Sequence, residues 1–149
     1  MPSDAAQMAH VHAAAFANDA PWTGAAIGAM LERPEIRALG IWDGAQLVAF
    51  ILIQCVDNTS EILTLATHPD HRRQGFARAL ILDLERQPEA SGLLNWWLDV
   101  AADNSGAIAF YQALGFRIDG RRPKYYARLE GRRVDAILMS KARAGQTVK

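Results

Sequence analysis

Residues 72–77, of sequence RRQGFA, have the composition of a turn that can bind an anion. The turn follows a predicted strand and opens a predicted helix, so the free N–H groups of the first helical turn and the positive end of the helix dipole point to the same place. Gly75 lets the backbone bend freely, and Ala77 keeps the approach open. Three arginines add positive charge, namely Arg72, Arg73 and Arg78. The turn is neither a P-loop nor a dinucleotide fingerprint, and an arginine-flanked helix start without a ligand is the alternative interpretation.

A second set of polar residues follows the next predicted strand. Asp99 stands near the end of that strand, and Asn104 can cap the helix that comes after it. Tyr111 lies two helical turns beyond Asn104, so both side chains can face one cleft. The strand-end position also agrees with the preference of ligands for the carboxyl ends of strands in such sheets.

Hydrophobic periodicity predicts the elements that position these residues. One helix opens at an Asp4 cap, and Thr23 caps a second that Pro34 ends. A third helix follows the turn and ends over Pro88–Gly92, and a fourth runs from Asn104 or Ser105 to Leu114. The predicted strands are Ala38–Trp42, Gln46–Val56, Glu61–Thr67, Leu93–Ala101, about Phe116–Arg122, and Val134–Ser140. The order α-α-β-β-β-α-β-α-β-β predicts one α/β domain over residues 1–149, with a mixed sheet and helices on its faces.

Composition excludes several classes of protein. Sixteen basic residues balance sixteen acidic ones, which argues against non-specific binding of nucleic acid. No apolar run is long enough to span a bilayer, and the single cysteine, Cys55, reads as a buried thiol in a reduced compartment, so we expect a cytoplasmic protein. The basic stretch from Arg117 to Arg133 is either a solvated face or a contact for an anion. His68 and His71 lack a third ligand, and we predict no metal.

The two motifs together resemble those of the GCN5-related N-acetyltransferases, the GNAT superfamily. Residues 72–77 match its turn [QR]-x-x-G-x-[GA], and Asn104–Phe116 match N-x-x-A-x-x-[FL]-Y-x-x-x-G-F. The resemblance implies an α+β fold with a mixed, mostly antiparallel sheet of six to seven strands and about four helices. It also implies that two splayed strands bind acyl-CoA, with acetyl-CoA as the donor and no metal.

The same resemblance implies a role for each matching residue. The strand before the turn would bind the pantetheine arm through its backbone at Leu65, Ala66 and Thr67. The diphosphate would be cradled by the backbone of the turn, at Arg73, Gln74, Gly75, Phe76, Ala77 and Arg78. Asn104 would bind the pantetheine, and Tyr111 would protonate the departing thiolate, which a tyrosine pKa near 10 and a thiol pKa near 8.5 permit. The backbone N–H of Ala66 or Thr67 would polarise the thioester carbonyl.

For the residues around the amine, the resemblance leaves more than one candidate or role. Asp99 is the first candidate for the general base and Glu61 the second, although both carboxylates can simply be solvated. The family has a glutamate at the position of Asp99. We expect the peptide entrance to be walled by Trp22, Tyr125 and Tyr126. The alternative for Trp22 is a hydrophobic plug without contact to the substrate. The alternative for the two tyrosines is that one of them replaces Tyr111 as the proton donor. The family also begins with a strand before its first helix, and a small residue is common at the position of Lys124.

Further segments resemble the bacterial ribosomal-protein-alanine N-acetyltransferases of the RimI type. These are residues 61–69, 120–126 and 131–136, together with Pro21-Trp22. The resemblance implies N-terminal acetylation of an alanine in a small-subunit ribosomal protein by a monomer or homodimer, without a membrane and without direct contact to nucleic acid. The alternatives are an acetyltransferase for a small-molecule amine, a non-catalytic acyl-CoA-binding module, and an RNA-bound factor.

Overall fold

The computed structural model describes residues 2–17, 20–86 and 95–142, and its elements follow the predicted order. The helices are α1 (Pro2–Ala15), α2 (Gly24–Leu31), α3 (Phe76–Arg86) and α4 (Ser105–Ala113). The strands are β1 (Ile36–Asp43), β2 (Gln46–Val56), β3 (Thr59–Thr67), β4 (Asn95–Ala101), β5 (Arg117–Ala127) and β6 (Arg133–Ala142). The predicted end of the third helix over Pro88–Gly92, and residues 93 and 94 of the fourth predicted strand, lie outside the described residues.

Six strands within the described ranges form one sheet in the order β1-β2-β3-β4-β6-β5. β3 and β4 are parallel, and every other pair of neighbours is antiparallel. This confirms the predicted mixed, mostly antiparallel sheet. Because β3 and β4 run in the same direction, their carboxyl ends meet at one edge of the sheet, and the chain leaves both strands there.

Helices cover both faces of the sheet, as the burial of β2 shows. Its residues from Leu47 to Ile53 are all buried. Phe50 and Leu52 pack with α1 and α2, whereas Ile51 and Ile53 pack with α3. Alternate residues of a strand point to opposite faces, so a strand buried along its whole length requires a layer on each side. No helix in the described part of the chain is both long enough and apolar enough to cross a membrane.

Helix α1 is fixed to the first hairpin by one side chain. The amide of Gln7 donates to the carbonyl of Ala45 at 3.1 Å and accepts from the N–H of Leu47 at 2.8 Å. The helix begins at Pro2, so Asp4 lies in its first turn and the prediction of Asp4 as the cap is wrong. A carboxylate in the first turn still interacts favourably with the helix dipole.

Strand β5 is longer than predicted. It continues to Ala127 instead of ending near Arg122, although its register with β6 shifts between Arg122 and Tyr126. Pro123 has no N–H to donate, and Lys124 has a left-handed φ of 51°. The ladder is therefore interrupted at these residues and resumes at Tyr126, which a pattern of alternating residues does not reveal.

Candidate active site

The parallel strands β3 and β4 separate, as the splay predicted from the sequence requires. They pair only over residues 59–61 and 95–97. Beyond this segment a cavity of about 310 Å³ lies between residues 62–65 of β3 and 98–101 of β4. The cavity thus opens in the middle of the sheet, at the carboxyl ends of its two parallel strands.

A β-bulge lies where the strands part. Ile62 pairs with Ile53 and Thr64 pairs with Leu52, so Leu63 is an extra residue on β3. A bulge bends the strand that carries it and increases its twist. Because Glu61 is the last residue of β3 paired with β4, the bulge comes directly after the paired segment and turns β3 away from β4.

The open edge of β3 presents backbone groups to the gap. The N–H of His68 donates to the carbonyl of Val48 in β2 at 2.8 Å. Since successive backbone groups of a strand point to opposite sides, Thr67 and Leu65 direct their N–H and C=O groups away from β2, towards the gap. The N–H of Ala66 points towards β2, so of the two amides predicted to polarise a carbonyl only that of Thr67 faces the right side.

The turn before α3 adopts the conformation that an anion site needs. Arg73 has φ of 64° and Gly75 has φ of 79°, so two of its residues are left-handed. The first turn of α3 contains no acidic residue. Free N–H groups in such a turn, at the positive end of a helix, suit a diphosphate. A Cβ on Gly75 would meet no atom within 4 Å, which means that the backbone angle, not space, calls for glycine here.

One arginine of this turn is directed elsewhere. The guanidinium of Arg72 donates to the carbonyl of Ala15 at the end of α1, at 3.4 Å. Arg73 and Arg78 remain exposed beside the turn. Arg72 therefore connects the turn with α1, and Arg73 and Arg78 are the other exposed arginines beside the turn.

Asn104 caps α4 and also lines the cavity. Its side-chain oxygen accepts from the N–H of Ala107 at 3.1 Å, as a capping residue does. Asn104, Ala107 and Tyr111 all line the cavity, so the predicted common face of the helix is present. The cap uses the oxygen of the side-chain amide. The N–H groups of the same amide are the ones that could donate hydrogen bonds to a ligand.

Tyr111 is buried at the bottom of the cavity. It is 7% exposed, and the rings of Phe110 and Phe116 lie 5.1 and 5.3 Å from its ring. Burial, followed by the proximity of Tyr126, raises the pKa of Tyr111 well above its ordinary value of 10.0. The hydroxyl therefore keeps its proton at neutral and moderately alkaline pH. The same rise makes it a weaker acid than the ordinary tyrosine assumed from the sequence.

Asp99 brings a carboxylate to the same cavity. Its Oδ1 atom is buried and has no hydrogen-bond partner among the described residues. Burial raises the pKa of Asp99, and Arg122 opposes this rise. The pKa of Glu61 is also raised, first by burial and then by Asp99, with Arg122 again opposing. Glu61 is not among the lining residues, so the structure brings Asp99, and not Glu61, together with Tyr111.

The other predicted wall residues divide into two groups. Trp22 and Tyr126 line the cavity. Tyr125 does not: its side chain is 44% exposed and packs under the guanidinium of Arg122, 5.3 Å from the ring centre. The prediction that Tyr125 walls the entrance therefore has no support in the geometry.

Among the cavity residues that sequence reasoning missed, two have ionisable side chains, His12 and Arg128. His12 is buried on the inner side of α1, and its ring stacks on Trp22 with 4.7 Å between centroids. The signal was a histidine on the helix face that carries Met8, Val11 and Phe16. Arg128 also lines the cavity, and no local pattern identifies it.

Most arginines of the basic stretch, residues 117–133, pair with acidic side chains or backbone carbonyls of this chain. Its ion pairs are Arg117–Asp119, Arg121–Asp135, Arg128–Asp103 and Arg132–Glu130. Arg133 donates to the carbonyl of Lys124 at 3.0 Å. These contacts favour a charged edge strand over a site for an anion. The described residues contain no group of three or more histidine, cysteine or acidic residues that could hold a metal.

The sequence model of the acetyltransferase (GNAT) family matches residues 6–116. The chain belongs to this family. A ribosomal protein bS18-alanine N-acetyltransferase of Escherichia coli K12 is 39% identical over 95 residues, which cover 64% of this chain and 64% of that protein. An N-alpha-acetyltransferase RimI of Mycobacterium tuberculosis is 32% identical over 131 residues, 83% of this chain and 79% of the relative. The chain thus spans less than two thirds of the E. coli relative in that alignment.

Solved structures agree with this assignment. The crystal structure of the ribosomal-protein-S18-alanine N-acetyltransferase from E. coli superposes with a TM-score of 0.83 at 30% identity, over 99% of this chain and 94% of that one. Arabidopsis thaliana NAA60 in complex with acetyl-CoA has a TM-score of 0.81 at 21% identity, covering 97% and 96%, and supports the fold alone. Both resemblances stated from the sequence, to the superfamily and to the RimI type, are confirmed.

Proposed function

We propose that this protein is an N-acetyltransferase that moves the acetyl group of acetyl-CoA to a primary amine. One observation carries the proposal: the cavity between the splayed strands is lined by both Asp99 and Tyr111. A carboxylate that can accept a proton and a hydroxyl that can donate one thus face the same space. Membership of the family supports the same activity.

The described residues suit coenzyme A at three places. The left-handed turn at Arg73 and Gly75 would hold the diphosphate through its backbone N–H groups, with Arg73 and Arg78 supplying charge. The open edge of β3 would bind the pantetheine amides through Leu65 and Thr67, and Asn104 would add its amide donors. Acetyl-CoA, when bound, supplies an acetyl thioester that is already activated towards an amine.

Asp99 would deprotonate the amine. Its buried Oδ1 atom accepts no hydrogen bond from the described residues, so this oxygen is available to an ammonium group or to a bridging water. Burial raises its pKa, which makes it a stronger base than an ordinary aspartate. An α-amine has a pKa of about 8, so only modest help is needed to obtain its nucleophilic form.

Tyr111 would complete the reaction by giving its proton to the departing thiolate. Its buried hydroxyl stays protonated over the working range of pH. The N–H of Thr67 would donate to the carbonyl oxygen on which negative charge develops. Holding the amine and the thioester together in one cavity supplies much of the acceleration.

We further propose that the acceptor is the N-terminal alanine of a ribosomal protein in the cytoplasm. The name of the E. coli relative supports this acceptor, and the name of the M. tuberculosis relative supports acetylation of an α-amine. The aromatic walls at Phe16, Trp22 and Tyr126 leave one cavity of about 310 Å³ for both the thioester end and the first residue of the acceptor. Limited space favours a small first side chain, and the lone cysteine, Cys55, suits a reduced compartment.

A peptide panel tests the proposal. The protein is incubated with acetyl-CoA and with peptides that differ only in the first residue, beside free polyamines and amino acids, and mass spectrometry locates the acetyl group. We expect the α-amine of the alanine-starting peptide to be modified fastest. In a Tyr111→Phe variant we expect kcat to fall by roughly a hundredfold with coenzyme A binding unchanged. Acetylation of free amines alone contradicts the peptide acceptor, and no transfer to any amine contradicts the enzyme.

A further inference from the structure

An ion pair fastens the turn between β5 and β6 to the loop between β4 and α4. Arg128 in the turn binds the carboxylate of Asp103 in the loop. Arg132 adds a longer pair, 3.5 Å from the other oxygen of Asp103. Two backbone hydrogen bonds close the turn itself, one from the N–H of Arg128 to Arg132 at 2.8 Å and one from the N–H of Gly131 to Arg128 at 2.9 Å.

The Asp103–Arg128 ion pair lies beside the cavity that Asp99 and Tyr111 line. Arg128 lines that cavity and also a second one of about 320 Å³, and its side chain is only 11% exposed. Phe16 and Asn104 line both cavities as well, so the two cavities are adjacent. The second cavity is bounded by the end of α1, at residues 15–17, and by the turn. The Asp103–Arg128 pair therefore lies at the boundary between the two cavities.

The turn also determines where one aromatic wall lies. Tyr126 precedes Arg128 by two residues and lines the cavity with Tyr111. It is the first residue of β5 to pair again with β6 after the interruption of the ladder, in a short segment that pairs Tyr126 with Val134 and Ala127 with Arg133. The ion pair with Asp103 supplies the attachment on the other side.

We propose that Asp103 is a positioning residue for the amine acceptor. Through Arg128 it holds the β5–β6 turn against the cavity and fixes the wall that the acceptor contacts. The inference rests on the proposed function. It affects the acceptor and not acetyl-CoA, because the turn before α3 and the open edge of β3 belong to other elements. Asn104, beside Asp103, is held separately by its own cap to the N–H of Ala107.

A double-mutant cycle tests this role. Asp103→Asn, Arg128→Gln and the double variant are assayed with acetyl-CoA and an alanine-starting peptide. We expect each single variant to raise the KM for the peptide about tenfold, with kcat within about twofold and the KM for acetyl-CoA unchanged. The double variant should be no worse than either single one, because both remove the same contact. Asp103→Glu, which keeps the carboxylate, should recover most of the peptide KM.

Asp119→Asn is the matched control. Asp119 also pairs with an arginine, Arg117, and its side chain is 39% exposed against 37% for Asp103, but it does not line either cavity. We expect its kinetic constants to equal those of the wild type. If Asp103→Asn does not fold, Arg128→Lys replaces it, since lysine keeps the charge without the forked geometry, and it should also raise the peptide KM.

Two results overturn the inference. One is an unchanged peptide KM in Asp103→Asn, or in Arg128→Lys where that variant replaces it. The other is additive effects in the double variant, which would mean that the two residues act separately. Failure of the proposed function looks different, since the wild type itself would then transfer no acetyl group.

Discussion

Asp99 shows how the requirements of the reaction oppose those of stability. Its carboxylate is half-buried, and the buried Oδ1 atom has no hydrogen-bond partner among the described residues. Burial destabilises the charged form, which is why the pKa lies above the ordinary value of 3.8. The same environment makes it the better base. A residue that serves the fold alone would be neutral or hydrogen-bonded at this position.

We therefore predict opposite effects of Asp99→Asn on activity and on stability. The variant lacks the proposed base, so kcat should fall by roughly a hundredfold at neutral pH. The wild-type carboxylate is active only when ionised, so its activity is lost as the pH falls through the raised pKa, and this dependence should be absent in the variant. Rates measured across pH check both effects. A near-normal rate with an unchanged pH profile contradicts the role, and a large loss in Glu61→Gln instead would assign the base to Glu61.

The stability of the same variant has the opposite sign. The folded protein holds the proton of Asp99 more tightly than the unfolded chain. The wild type therefore loses stability as the pH rises from the ordinary pKa of 3.8 through the raised pKa of the folded protein. Asp99→Asn removes that loss, and its Tm at pH 7 should exceed that of the wild type by roughly 1–3 °C. Thermal unfolding followed at several pH values checks this. The difference should shrink towards pH 4, and a lower Tm of the variant at pH 7 contradicts the account.

At the scale of elements, helix α4 depends on Asn104 twice. The oxygen of its side chain caps the helix, and its N–H groups are left for a ligand. Asn104→Asp keeps the cap and loses the donors, so we expect unchanged stability and weaker binding of coenzyme A. Asn104→Ala loses both and should also cost about 1 kcal/mol of unfolding free energy. Calorimetry and urea unfolding separate the two effects; equal affinity of Asn104→Asp and wild type contradicts the binding role.

The turn before α3 permits a similar separation. Gly75 and Gly44 both have left-handed angles, 79° and 62°, and both have open space where a Cβ would stand. Replacing either with alanine should cost roughly 1 kcal/mol of stability, from the backbone angle alone. Only Gly75→Ala should weaken coenzyme A binding, because Gly44 belongs to the β1–β2 hairpin. Equal affinities in the two variants would mean that the turn does not hold the diphosphate.

Local features of these elements were predictable, and distant ones were not. The cap at Asn104 and the glycine turn at Gly75 depend on neighbours a few residues away, so their residue types reveal them. His12 and Arg128 reach the cavity only because α1 and the β5–β6 turn pack beside it. The sequence could not distinguish the amides of Ala66 and Thr67, because the side to which each N–H points depends on how β3 pairs with β2. The length of β5 was missed because Pro123 and Lys124 interrupt a strand that then continues.

At the scale of the molecule, the sheet is divided at its one parallel pair. β1, β2 and β3 form one part, β4, β6 and β5 the other, and three paired residues on each strand join them in the sheet. The resemblance to a known family predicted this splay; composition and periodicity alone predicted only a mixed sheet with helices on both faces. A ligand between the strands should hold the two parts together and stabilise both.

The measurement that tests this account most directly is a calorimetric titration of the wild-type protein with coenzyme A, paired with thermal unfolding in its presence. We predict one site per chain. At a ligand concentration a hundred times the Kd, the unfolding free energy should rise by about 2.7 kcal/mol and the Tm by roughly 5–10 °C. No binding heat and no change in Tm, with protein that is folded by circular dichroism, would contradict the claim that the splayed strands and the glycine turn form a coenzyme A site.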